Sequence, residues 1–202
     1  MKRKTFSTSQ TYRLVLYAIL TAIEIVLASV SIPMPSGLSI TFNMIPVAVA
    51  GIVMGPTGGA VMGGIFGLIS FAQCFGLFIP SAMGAALVAQ SGAFLNFLHR
   101  FGTRVLMGVL AALAFRPVSG KTNFYAGCAV TGFLSAFLNT LFFMGFLVLI
   151  FQGTPYMQEK MAGRGFIAYV IAAVGVNGLV EMAVATAVTG AVGAALKRAR
   201  LI

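Results

Sequence analysis

Apolar stretches of about 20 residues recur along this chain, and that length crosses a hydrocarbon layer roughly 30 Å thick. One example is "SITFNMIPVAVAGIVMGPTGGAVMGGIFGLIS", residues 39–70, which carries no charged side chain and sets a glycine at every fourth position from Gly55 to Gly67. A soluble fold of 202 residues that is 59% hydrophobic and 8% charged lacks the polar groups to cover its outside. The chain is therefore read as an all-α integral membrane protein with one membrane domain, residues 1–202.

Six spans are expected, at approximately 12–29, 43–54, 58–73, 96–115, 124–151 and 165–196. The first contains Glu24 and follows a long polar stretch, so it is read as a span and not as a cleaved leader. The second has about 12 residues, near 18 Å at 1.5 Å per residue, too short to cross alone. Such a span is tolerated where protein surrounds it or a flanking loop dips into the bilayer. The preceding "SIPMPSGLSITF" carries two prolines and a glycine and is read as irregular loop. Gly55-Pro56 makes the turn into the third span, and the stripe Gly55, Gly59, Gly63 and Gly67 lets helix backbones approach closely.

The net charge is +10. Its clustering argues for membrane topology and against a nucleic-acid partner. Lys2, Arg3, Lys4 and Arg13 precede the first span, Arg116 and Lys121 sit between the fourth and fifth, and Lys197, Arg198 and Arg200 close the chain. Basic residues collect on the cytoplasmic side. Both termini and the 116–123 loop are thus expected inside, and the 30–42, 74–95 and 152–163 connections outside. Cys74 and Cys128 stand on different segments, with no Cys-x-x-Cys and a single His, so neither a disulfide framework nor a metal site is expected. Both are read as buried small hydrophobes.

Polar groups inside the spans are the candidates for function, because lipid excludes them. Arg100 and Arg104 share one helix face, and Gly108 continues it. Asn139 ends a stripe begun by Thr131 and Ser135, and Asn177 and Glu181 are four apart beside Gly175 and Gly178. Arg104, Asn139, Asn177, Arg100 and Glu181 are the substrate-binding candidates. Together they suit a small anion with hydrogen-bonding groups. The competing roles are structural: an arginine paired with Glu24 or Glu181, Arg100 snorkelling to the interface, and Glu181 locking the arrangement through an arginine. Glu24 is assigned a buried partner, His99 an interfacial position, and the ladder Ala183, Ala187, Ala191 and Ala195 a packing role.

"LSITF", the following "IPV" and "AGIVMGPTGGAVMGGIFGLIS" resemble the substrate-binding S component of energy-coupling factor (ECF) vitamin transporters. "FGTRVLMGVLAAL", "FLNTLFFMG" and "GVNGLVEMAVATAV" are similar to segments of the pantothenate-type members. The resemblance runs from about residue 12 to residue 196. Arg104 matches the arginine of the family's R-x-L-x-G element, although Thr103 stands where proline often precedes it. The resemblance implies a six-helix S component in the bacterial plasma membrane. It would capture a vitamin, pantothenate first and folate or riboflavin as alternatives, and dock on a transmembrane T component driven by two ABC-type ATPases. Ala18 and Ala22 would then form the docking surface, or else pack within the bundle. The chain has no G-x-x-x-x-G-K-[ST], so the ATPase must lie on other chains.

Two rivals remain. An autonomous proton-coupled carrier of a small anion would relay protons through Glu24 or Glu181, but such carriers usually show inverted repeats and none is visible. An enzyme would need a base beside a nucleophile, and His99 adjoins Arg100 with no obvious serine partner. No catalytic residue and no cofactor is expected.

Overall fold

Glycine, proline and capping side chains decide where each apolar run of this protein starts and stops as a helix. The structure is a computed structural model that describes residues 10–30, 32–33 and 39–201. The basic Lys2–Lys4 cluster and half of "SIPMPSGLSITF" lie outside the described residues. Helix α1 spans Gln10–Ala28, and a two-residue antiparallel pair follows, β1 (Ile32–Pro33) with β2 (Ser39–Ile40). Next come α2 (Met44–Met54), α3 (Pro56–Ala72) with a 3₁₀ turn at Gln73–Phe75, and α4 (Ala82–Ser91). The chain ends with α5 (Ala93–Lys121), α6 (Phe124–Phe151), α7 (Pro155–Met161) and α8 (Phe166–Arg198).

Five of these helices, α1, α3, α5, α6 and α8, have the length and apolarity to cross a membrane, and α2 is shorter. The six expected spans thus correspond to five full-length helices and one of 11 residues. Protein surrounds the short one. Helix α2 packs against α1, α3, α5, α6 and α8, and Met44, Val47 and Ala50 are completely buried.

Helices α4 and α7 fold inside stretches read from sequence as connections. Each has its own cap. The Ser81 hydroxyl accepts from the Gly84 amide at 3.1 Å, and Gly92, at φ 82°, ends α4. The Thr154 hydroxyl accepts from the Met157 amide at 3.3 Å, with Pro155 at the first helical position. Helix α5 also outruns its expected end. Arg116 and Lys121 belong to its last turns and not to a loop, and cations suit a helix C-terminus. Only Thr122 and Asn123 connect it to α6, where Asn123 caps the start by accepting from Ala126 at 2.8 Å.

The glycine stripe packs α3 onto α5. A Cβ at Gly59 would run into the Gly108 carbonyl, one at Gly63 into the Arg104 carbonyl, and one at Gly67 to 2.7 Å from the Phe101 Cα. Gly55 itself is the turn, at φ 74°. Across the bundle, Gly132 and Cys128 of α6 meet Ala185, Thr189 and Gly193 of α8. That register corrects the alanine ladder: Ala183, Ala187, Ala191 and Ala195 are exposed or face outward, not into the bundle. Small residues tolerate lipid, whereas Glu181 and Thr189 on the adjacent stripe do not, so the polar stripe turns inward. Cys74 and Cys128 are free and buried.

Two apolar clusters result. One gathers Met44, Val47, Met62, Phe66 and Met107, and the other gathers Met83, Phe143, Leu147, Phe151 and Met157. Phe66 from the first, with Met83 and Phe143 from the second, border a polar cavity.

Candidate functional site

The cavity measures about 100 Å³ and is walled by α3, α5, α6 and α8, with Ser39 and Thr41 and the α3–α4 connection at its rim. A single water needs about 10–15 Å³, so the space admits the polar part of a small molecule. All five sequence-derived candidates line it: Arg100 and Arg104 from α5, Asn139 from α6, and Asn177 and Glu181 from α8. Physics explains the convergence, because a polar side chain on a spanning helix has only the interior to face.

The two arginines differ in how they are held. Arg100 is 3% exposed, and its Nη1 donates to the Ser70 carbonyl and hydroxyl, both at 2.9 Å. Its Nη2 reaches the Ser81 hydroxyl at 3.2 Å. It therefore ties the end of α3 to the cap of α4. Arg104, 5% exposed, makes one hydrogen bond among the described residues, from Nη1 to Thr103 Oγ1 at 3.1 Å. Its guanidinium lies over the Phe143 ring at 4.2 Å and the Phe66 ring at 5.2 Å. Neither arginine bonds a carboxylate among the described residues, so the competing role as an ion pair with Glu24 or Glu181 is not seen there.

Glu181 is bound elsewhere. Its Oε1 accepts from the Thr41 backbone amide at 2.8 Å, fastening the residue that follows β2 onto α8. A backbone N–H in an irregular segment has no ladder partner, and the carboxylate supplies one. Six residues before Glu181, α8 leaves helical geometry at Gly175. Asn139 and Asn177 are half-buried, and their amides make no hydrogen bond among the described residues. Their donors and acceptors face the cavity unengaged.

Sequence reasoning missed Thr41, Ser70, Gln73, Ser81 and Thr140, which also line the cavity. For Ser70 and Thr140 no signal existed, since serine and threonine in a helix ordinarily bond their own carbonyls. Gln73 and Ser81 did carry one, as polar residues at the ends of the third span and its connection.

Other expectations need revision. His99 is 2% exposed and not interfacial: Nε2 donates to the Phe143 carbonyl at 2.9 Å, and Nδ1 has no partner among the described residues. Glu24 is fully buried, yet neither carboxyl oxygen has a hydrogen-bond partner among the described residues. Asn43 donates instead to the Glu24 backbone carbonyl at 2.8 Å. Ala18 and Ala22 are exposed on the outward face of α1, unused by packing among the described residues. No group of three metal-ligating side chains occurs among the described residues.

Among the described residues the site thus offers a cation with no acidic partner and two unengaged amides, which is the equipment for holding an anion that also carries hydrogen-bonding groups. Comparison with known proteins points the same way. The chain is 27% identical over 159 residues to the pantothenate transporter PanT of Leuconostoc mesenteroides subsp. mesenteroides, covering 76% of this chain and 72% of that one. Residues 12–193 match the family of substrate-specific components of ECF transporters, a multi-pass membrane family of transport subunits, and the chain belongs to it.

Proposed function

We propose that this protein captures pantothenate at an exterior-facing site and, with a transmembrane T component and two ABC-type ATPases, delivers it to the cytoplasm. The observation that carries this reading is Arg104, a buried guanidinium without an acidic partner, sharing its cavity with the unengaged amides of Asn139 and Asn177. Arg104 would take the vitamin's carboxylate. The asparagines would take its amide and hydroxyls, and Arg100 would shape the rim while adding positive potential. The basic residues Arg13, Arg116, Lys121 and Lys197 gather toward the opposite end of the bundle, which supports a cytoplasmic assignment for that end. The outward-facing Ala18 and Ala22 suit close approach of a T-component helix.

Isothermal titration of the purified protein tests the site. Pantothenate should bind tightly, and Arg104→Ala should lose affinity by roughly tenfold to a hundredfold, the range expected for a charge-assisted bond. Unchanged affinity in that variant would end the anion-site assignment. Uptake that persists without the ATPases but collapses with a proton ionophore would favour the autonomous carrier.

A further inference from the structure

A cation poised for a ligand faces a conflict. A carboxylate partner would hold it in place but would also neutralise it and occupy its N–H groups. Without a partner, a long arginine stem wanders among rotamers. The surroundings of Arg104 resolve the conflict with an aromatic surface. Its guanidinium carbon lies 4.2 Å from the Phe143 ring centroid, a separation at which the ring attracts the charge while the N–H edge stays free.

Phe143 is itself fixed. His99 Nε2 donates to its backbone carbonyl at 2.9 Å, and the His99 ring lies 4.6 Å from its ring. The other side of the arrangement is fixed by Thr103. Its hydroxyl gives its proton to the His99 carbonyl at 2.7 Å, so its lone pairs face outward, and Arg104 Nη1 donates to them at 3.1 Å. Contacts therefore close a ring, from His99 to Phe143, to Arg104, to Thr103 and back to His99. All four residues are buried.

We propose that Phe143 and Thr103 are positioning residues for Arg104, aiming a still-charged guanidinium at the substrate's carboxylate. The proposal rests on the reading of Arg104 as the anion-binding group. Thr103 sets the rotation of the guanidinium plane, and Phe143 sets its height. Neither residue needs to touch the ligand through its polar atoms.

The test compares pantothenate with its alcohol analogue, in which CH2OH replaces the carboxylate, by titration of the full chain in detergent. General damage to the pocket weakens both ligands alike, whereas misaiming Arg104 erodes the preference for the acid. Phe143→Leu stays apolar but removes the ring face, and should cut the acid-over-alcohol preference about tenfold, within the cation–π range. Thr103→Val keeps the shape and removes the hydroxyl; it should cut the preference severalfold, and Thr103→Ser should restore it. If Phe143→Leu does not fold, the Val and Ser pair at position 103 decides. Wild-type preference in both Phe143→Leu and Thr103→Val, with Arg104→Ala abolishing it, overturns the positioning claim and leaves the anion site standing. No acid preference in the wild-type protein overturns both.

Discussion

Replacing Gly63 with alanine adds one methyl group where α3 meets the backbone of α5. The new Cβ would collide with the Arg104 carbonyl oxygen, lie 2.9 Å from the Arg104 carbonyl carbon and sit 3.2 Å from the Val105 Cα. All three neighbours are backbone, so no rotamer change relieves the contact and the helices must part. Overpacking of this kind costs about 1–3 kcal/mol. For a chain of this size each kcal/mol lowers the melting temperature by about 2–4 °C, giving a loss of roughly 2–12 °C. Two other glycines calibrate the effect. At Gly64 the added atom meets Phe101 ring atoms at 3.3 and 3.4 Å, which can move, and at Gly102 it meets nothing within 4 Å. The expected order of destabilisation is Gly63, then Gly64, then Gly102. Cys74 and Cys128 are buried and free, so a thiol-reactive dye reports unfolding as they become exposed. If Gly63→Ala melts together with Gly102→Ala, close approach along this stripe is not what holds α3 to α5.

The arginines should separate by assay. Arg100→Ala deletes bonds to Ser70 and Ser81 in a buried site and should lower the melting temperature more than Arg104→Ala, which deletes one. The reverse order in the same dye assay would refute that division of labour. Glu181→Ala removes the acceptor of the Thr41 amide, a hydrogen bond of about 0.5–1.5 kcal/mol, and under the proposed function should speed release of bound pantothenate in a dissociation assay. Glu181→Gln retains an acceptor and should release more slowly than the alanine variant. Equal release rates in wild type and Glu181→Ala would show that this contact does not restrain the segment.

The elements legible from the sequence are those with one strong physical signal. Run length located α1, α3, α5, α6 and α8 to within a few residues at most ends, and glycine spacing identified the α3 face that packs. Helices α4 and α7 were lost because a short helix in a Gly- and Pro-bearing stretch gives no length signal, although Ser81 and Thr154-Pro155 were caps in plain view. The alanine ladder of α8 misled for a different reason. Small residues serve equally at a helix contact and against lipid, so spacing alone does not select the inward stripe. The five cavity residues were found because hydrophilic groups on spanning helices share one refuge. Their partners were not found. The Thr41 amide lies 140 residues from Glu181, and nothing in the order of the chain distinguishes Phe143 among 18 phenylalanines.

Arg100 and Arg104 are chemically identical and one helical turn apart, so whatever separates their roles comes from the opposing surface. Opposite Arg100 stands Ser70, in the last turn of α3, where carbonyls become available to outside donors. Opposite Arg104 the same helix presents Phe66, which attracts a cation but accepts no N–H bond in its plane. The glycines at 63 and 67 bring α3 close enough for both contacts, since they remove the side chains that would keep the two helices apart. The glycine stripe and the poised cation are thus one device. Spacing α3 further from α5 would leave Arg100 without its Ser70 acceptors and Arg104 without the Phe66 face. A packing change at Gly63 should therefore register in ligand affinity as well as in stability.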